Sequence, residues 1–523
     1  MMEKKENEGE IRKAVQERVQ AEVASTTDSN GHKINSNFVN QCIFENEAGD
    51  GALFVAIHRG HFIFDAAGET WYYWAGHHWE RDDLGYAYSA VKEVAEVYLQ
   101  ESNNLRNEIK KAKSEDKTDR ANRIEAQRQR LQARFQRLNS KRGSSNCLYW
   151  ARALSDSLRI HGEDFDRDPM LLACANGVLE LRSGRFRPGR PDDYLVKAVP
   201  HEWAGIETPA PAWEAFLSEI FQDDGELIDY LRRLFGYGIT GLVSEHIIPV
   251  LHGVGRNGKG TLIETIRYVL GPLAQPIPSE MLLEQRFGRS STAPSPDLMS
   301  LKGLRIAFAS ETDEGSRFSS SRAKWLSGGD LITARNPHDK HTSTFAPTHL
   351  LCLLTNHLPR AAGDDFAFWQ RIHLVPFKIK FVDKPAGELE RPRDKDLPAR
   401  LRAEAPGILA WLVRGCLEWQ RDGLNPPQVV LRATEAYRFS EDTIAEFVED
   451  CCSPPSETAP DAREKFADVY GAFEVWFIKT CGDHPPKKKK FSTLMEKKFR
   501  KAKVGGTVYF YGLSLLPTWD REE

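Results

Sequence analysis

No two of the eight cysteines in this chain of 523 residues stand at C-x-x-C spacing. Cys42, Cys147, Cys174, Cys352, Cys416, Cys451, Cys452 and Cys481 therefore argue against a zinc ribbon and against a secreted disulfide scaffold. Long apolar runs are also missing, and the opening MMEKKENEGEIRKAVQERVQ has no hydrophobic core of the signal-peptide kind. The expectation is a cytoplasmic protein with no membrane partner. Charge of one sign is the third absence. A formal net charge of −4 gives no global nucleic-acid footprint, so any such binding must use local basic surfaces.

What is present is ordinary globular material: 41% hydrophobic, 28% charged and 10% aromatic residues, enough for roughly three or four domains. Residues 1–36 read as a flexible polar arm. Residues 37–170 read as an α+β region with long charged helices. There, Trp71, Tyr72, Tyr73, Trp74 and Trp79 favour a small β core over base stacking, and RANRIEAQRQRLQARFQRLNSKR favours an antiparallel helix pair over phosphate contact. Residues 171–245 carry hairpin signals at Asn176-Gly177 and Ser183-Gly184, then a helical segment. Residues 246–380 hold the strongest motif, 381–455 are helical, and CCSPPSETAPD reads as a linker. Residues 456–523 pair helices with the glycine-turned hairpin KVGGTVYFYG, the pattern of a winged helix.

The motif is HGVGRNGKGTL. Gly253, Gly258 and Lys259 match the phosphate loop G-x-x-x-x-G-K-[ST], and the strand HIIPVLHG before it and the helix TLIETIRYVLG after it are the setting such a loop needs. Backbone N–H groups around Gly255, Asn257 and Gly258 would cradle phosphates. The hydroxyl that normally follows the lysine is displaced: Gly260 stands there and Thr261 comes one place later. Phosphoryl transfer also needs a carboxylate near metal and water. In IAFASETDEG the first candidate is Glu311, with Asp313 and Glu314 behind it, against the alternative of solvated acids at a strand end. Asn356, after LLCLLT, is either a polar contact to the γ-phosphate or a turn former.

The series GVGRNGKGTL, ASETDEG, KWLSGGDLITARNP, TFAPTHLLCLLTNHLPR and DFAFWQRIHLVPF resembles, in order and spacing, the superfamily 3 helicases of the phage and plasmid primase-helicase family, which includes the poxvirus helicase-primase. The resemblance covers about residues 170 to 450. It implies an α/β multidomain protein: an AAA+-type P-loop ATPase core with a helical collar, a small N-terminal α+β domain and a C-terminal winged helix. It further implies ATP and Mg²⁺ as cofactors, and a homo-oligomer, a hexameric ring around single-stranded or forked DNA.

Carried onto this chain, Lys259 binds the β and γ phosphates, Glu311 serves metal and attacking water, Asn356 is the polar sensor and Arg371 the arginine finger acting in trans. Arg335 is a second candidate for a phosphate or interface role, with a structural salt bridge as its alternative. Lys340 and His341 would sit at the tip of a DNA-gripping hairpin. Lys487, Lys488, Lys489 and Lys490 either bind duplex DNA or form a charged surface loop. Two departures matter. A single acid follows Ser310 where many relatives have two, and Gly260 leaves Mg²⁺ to water, Glu311 or Thr261. The first 170 residues lack primase signatures, so a separate primase is the implied partner. The function this points to is a 3′–5′ DNA helicase for replication of a phage, plasmid or integrated element; the alternative is an ATP-regulated, origin-binding initiator without processive unwinding.

Overall fold

The computed structural model describes residues 34–284, 294–310, 315–337, 342–363, 365–453, 462–481 and 485–516. The chain divides into two compact units, 1–180 with 185–203, and 181–184 with 204–523. The hairpin strands that sequence grouped with the following helices thus belong to the N-terminal unit. Among the described residues no helix is long and apolar enough to cross a membrane.

In the N-terminal unit, the helices Tyr86–Ser114 and Thr118–Leu138, separated at residues 115–117, pack together as the helix pair read from the sequence. Leu105, Leu131 and Leu138 close their seam against Tyr98, Phe54 and Cys147. The arginine-rich face has an internal use: Arg134 reaches Asp50 through both Nε, at 3.1 Å, and Nη2, and Tyr98 donates to the same carboxylate at 3.1 Å. Of the aromatic cluster, Trp79 is buried, while Trp71, Tyr72, Tyr73 and Trp74 are half-buried. Trp79 is buried against Trp74 and donates to the Pro191 carbonyl at 2.9 Å, and Trp71 packs edge-on to Phe64. A second sheet runs through Leu171–Cys174, Gly177–Glu180 and Arg185–Arg187, with Ala198–Val199 alongside the first of these.

The second unit is built on a five-stranded sheet: β1 (Ile248–His252), β2 (Ala274–Ile277), β3 (Ile306–Ser310), β4 (Leu350–Thr355) and β5 (Ile372–Pro376). The order is β2-β3-β4-β1-β5 and every pair is parallel. The central strands β3 (IAFAS) and β4 (LLCLLT) read as near-continuous apolar runs because a parallel sheet is covered on both faces, whereas edge strand β2 exposes Gln275 and Pro276. The helices Pro211–Phe221 and Gly225–Gly238 pack with Ala405–Asp422, although nearly two hundred residues intervene. Glycines permit that approach: a Cβ on Gly236 would fall 2.2 Å from the Cys416 amide nitrogen, and one on Gly415 would fall 2.0 Å from the Arg232 carbonyl oxygen. Glu404 caps the start of Pro211–Phe221, accepting from Ala212 and Trp213 N–H at 2.9 and 3.0 Å.

Ile332–Ala334 pairs antiparallel with Ser343–Phe345. At the C-terminal end of the described chain come the helix Thr443–Cys451, a strand Arg463–Lys465, the helices Phe466–Cys481 and Lys488–Glu496, and a hairpin of Arg500–Val504 with Thr507–Tyr511. Gly505 and Gly506, at φ of 57° and 87°, supply the two left-handed residues that this two-residue turn requires. The stretch read as a linker is partly structural: Cys451 and Cys452 are buried, and Cys452–Ser453 pairs with Ser514–Leu515.

Candidate nucleotide site

β1 ends at His252, and the chain turns through 253–258 before the helix Lys259–Leu270 begins. Close approach dictates the glycines. A Cβ on Gly253 would meet the Phe377 carbonyl oxygen at 2.2 Å. Gly258 caps the helix at φ 89°, and its Cβ would strike Ile220 at 2.8 Å, so the helix Pro211–Phe221 supports the loop directly. Gly255 and Gly260 differ: a Cβ on either meets nothing within 4 Å, and both line a cavity.

That cavity, about 440 Å³, opens outside the carboxyl ends of the strands, where open α/β sheets bind ligands. It is lined by the loop from Gly255 to Gly260, by Glu264 and Arg267 on the helix, and by Phe308, Ser310 and Asn356 at strand ends. The unpaired N–H groups of the first helical turn and the positive end of the helix dipole favour an anion here.

Lys259 is only 6% exposed. Its ammonium donates to the Gly253 carbonyl and, at 3.0 Å, to Asn356 Oδ1. Burial pulls its pKa down to about 8, because neither oxygen is charged and neither offsets the desolvation. Residues 97 apart in sequence thus meet because β4 lies beside β1, with Thr355 paired to His252. His252, half-buried, also has a lowered pKa, from burial first and from Lys259 second. Asn257 is 3% exposed; its Oδ1 accepts from the Lys259 backbone N–H at 3.3 Å and its Nδ2 has no partner.

The other sequence candidates are placed as follows. Thr261 is not among the residues lining the cavity, and its carbonyl accepts from Thr265 Oγ1 at 2.7 Å. Glu311, with Asp313 and Glu314, lies outside the described residues, as do Lys340 and His341; Ser310, the last residue of β3, is exposed and lines the cavity. Arg371 precedes β5, and its carbonyl accepts from Ile248 N–H at 2.6 Å, at the start of β1. It therefore sits at the end of the sheet opposite its own phosphate loop, separated by a five-residue strand, about 17 Å. Its Nη1 donates to the Ala367 carbonyl at 2.7 Å and its Nε is buried without a partner. Arg335 follows the first hairpin strand half-buried, its carbonyl accepting from Ser295 N–H at 2.9 Å. Lys487, Lys488 and Lys489 are exposed at the start of their helix, with the Lys488 ammonium 5.4 Å from the Tyr470 ring centre; of the Lys490 side chain nothing is described.

Sequence reading missed Glu264 and Arg267, although their four- and seven-residue offsets from Gly260 put them on one helix face. The site's donor set fits a polyphosphate: a glycine-lined cavity, a helix start and, among the described residues, a buried cation without a charged partner and an orphaned amide N–H. A magnesium ion, which keeps several waters, would be held there chiefly through the phosphate oxygens. Among the described residues no three His, Cys, Asp or Glu side chains cluster to hold a metal.

Comparison with known proteins gives three kinds of match. A family model described as D5 N terminal like matches residues 51–222. Two relatives carry the name "Putative helicase": one of Acanthamoeba polyphaga mimivirus, 28% identical over 327 residues, covering 60% of this chain and 33% of the relative, and one of Frog virus 3 (isolate Goorha), 25% identical over 390 residues, covering 60% and 39%. The chain thus spans between a third and two fifths of the length of these curated relatives. Among solved structures, the apo NrS-1 C-terminal region aligns at a TM-score of 0.33 with 11% identity, over 61% of this chain and 77% of that one. The D5-type match and the viral relatives agree with the motif series: this chain is similar to phage- and virus-type superfamily 3 helicase-primase proteins.

Proposed function

We propose that this chain is an ATP-driven DNA helicase, an AAA+-type motor that works as a homo-hexameric ring, moves 3′ to 5′ and serves replication of a phage, plasmid or integrated element. The observation that carries the reading is the Lys259–Asn356 contact inside a glycine-lined cavity at the carboxyl ends of a parallel sheet. It joins the phosphate loop to a polar residue able to sense the γ-phosphate. The helicase names of the viral relatives support it.

In this reading Lys259 leaves its neutral partners for the β and γ phosphates, and the loop from Gly253 to Gly260 wraps the polyphosphate with backbone N–H groups. Mg²⁺, when bound, neutralises phosphate charge; Glu311 and water hold it, with Thr261 as a further ligand only if the helix start shifts. Glu311 also orients the attacking water. Arg371 cannot serve its own site from the far end of β1, so it reaches the nucleotide of the neighbouring subunit; Arg335 is the second candidate for that interface. The hairpin after Ile332–Ala334 presents Lys340 and His341 to the DNA backbone. The Lys487 to Lys490 helix start and the glycine-turned hairpin form a winged helix that binds duplex. Primer synthesis falls to a separate primase.

The basic helix favours one second reading, an ATP-regulated origin-binding initiator. A forked-duplex assay separates them. ATP-dependent strand separation that Lys259→Ala loses supports the motor; DNA binding and ATP-dependent assembly without strand separation support the initiator.

A further inference from the structure

Asn257 is the odd group in the phosphate loop. Its side chain is 3% exposed and lines the cavity, yet Nδ2 has no acceptor. A buried amide N–H left bare carries a desolvation cost, so an orphan at this position calls for a partner in another state of the site. Turning the amide over offers no remedy: Oδ1 accepts from the Lys259 backbone N–H, and a flip would set two donors against each other. The orphan lies against Gly253, where an added Cβ would fall 2.6 Å from Nδ2. The acceptor that Gly253 offers, its carbonyl, accepts from the Lys259 ammonium in this state.

We propose that Asn257 and Lys259 exchange this carbonyl: when nucleotide phosphates draw the Lys259 ammonium off Gly253, the Asn257 amide N–H takes its place. The exchange rests on the nucleotide reading given above and adds a positioning residue to it. Without it, phosphate binding would strip the Gly253 oxygen of its partner at the tightest point of the loop. With it, one orphan donor and one vacated acceptor cancel, and the loop closes around the phosphates with both satisfied.

The test is Asn257→Ser, made in the wild-type and Lys259→Ala backgrounds. A serine hydroxyl can still accept from the Lys259 backbone N–H, as such turns allow, but is too short to reach Gly253. In the wild-type background, without nucleotide, the thermal midpoint stays within about 1 °C, since the lost donor had no partner. In Lys259→Ala the carbonyl is free and Asn257 already occupies it, so the same substitution lowers the midpoint by about 2–4 °C. ATP binding, by calorimetry with the Lys259 protein, weakens about tenfold. Equal melting losses in the two backgrounds, or unchanged ATP affinity, overturn the exchange. If the unsubstituted protein does not bind ATP, the nucleotide reading falls, and the two-background melting comparison still decides the exchange.

Discussion

Each unit buries charge, in opposite ways. In the N-terminal unit Asp50 is 2% exposed and meets a guanidinium, a phenol and the helix around it: Arg134 and Tyr98 both donate to its carboxylate. Burial still raises the Asp50 pKa, to about 6, with Arg134 as the main opposing influence. In the second unit Lys259 is buried among neutral oxygens, and Arg371 has a buried Nε with no partner. A closed ion pair fixes a fold and asks for nothing more. A desolvated cation without an anion among the described residues is suited to receive one. Lys259 lines the cavity, whereas Arg371 lies at the opposite end of the sheet.

The largest effects should come from the cations lacking a charged partner. Arg371→Ala should keep ATP binding within a few-fold and lower ATP turnover by about 10³ or more, the size of an arginine-finger loss. Normal turnover, measured under conditions where the protein assembles, would remove Arg371 from that role. Breaking the closed pair should act on folding instead. Arg134→Ala strands the Asp50 carboxylate in a dry site and should cost about 3–5 kcal/mol of stability in the N-terminal unit. Chemical unfolding checks this, and ATP turnover per folded molecule should not change. If the variant melts normally, the contrast between structural and vacant charge collapses.

A smaller effect follows from Lys259 and pH. Its pKa in the folded, nucleotide-free protein is about 8, below the ordinary 10.5. Between these values the native state binds fewer protons than the unfolded chain. The penalty of burying the ammonium is therefore complete below pH 8 and is relieved as pH rises from 8 toward 10.5. ATP binding runs the other way. Phosphates need the ammonium, so affinity should fall by up to about tenfold per unit as pH rises above 8. Calorimetry in two buffers of different ionisation heat should show proton uptake on ATP binding in that window. Lys259→Ala should abolish the slope.

How much of this was legible in sequence depended on whether the physics was local. The loop is contiguous, and the strand before it and the helix after it are legible from HGVGRNGKGTL and its flanks. The Gly505-Gly506 turn is local too. By contrast, Asp50 and Arg134 lie 84 residues apart, and nothing in either helix marks the pair. The arginine-rich face reads as solvated precisely because only tertiary packing singles out Arg134. The helix Ala405–Asp422 packs on Gly225–Gly238 through Gly236 and Gly415, whose closeness no periodicity shows. Order along the chain did what spacing could not for Asn356, which reached Lys259 through strand order.

The smallest predicted effect bears on the displaced hydroxyl of the loop. Gly260 lines the cavity, whereas Thr261 does not, and a Cβ added at Gly260 meets nothing within 4 Å. Gly260→Ser should therefore fit without rearrangement and place a hydroxyl where Thr261 offers none. Serine is also the better helix former, by roughly 0.5 kcal/mol, so stability should rise slightly. If Mg²⁺ is held by phosphate, water and Glu311 alone, the added ligand should lower the Mg²⁺ concentration for half-maximal hydrolysis, while Thr261→Val leaves it unchanged. The reverse pattern, with Thr261→Val raising the Mg²⁺ requirement and Gly260→Ser without effect, would mean that nucleotide binding turns the helix start enough to bring Thr261 into the cavity. The loop would then be a shifted version of the usual arrangement and not one that dispenses with the hydroxyl.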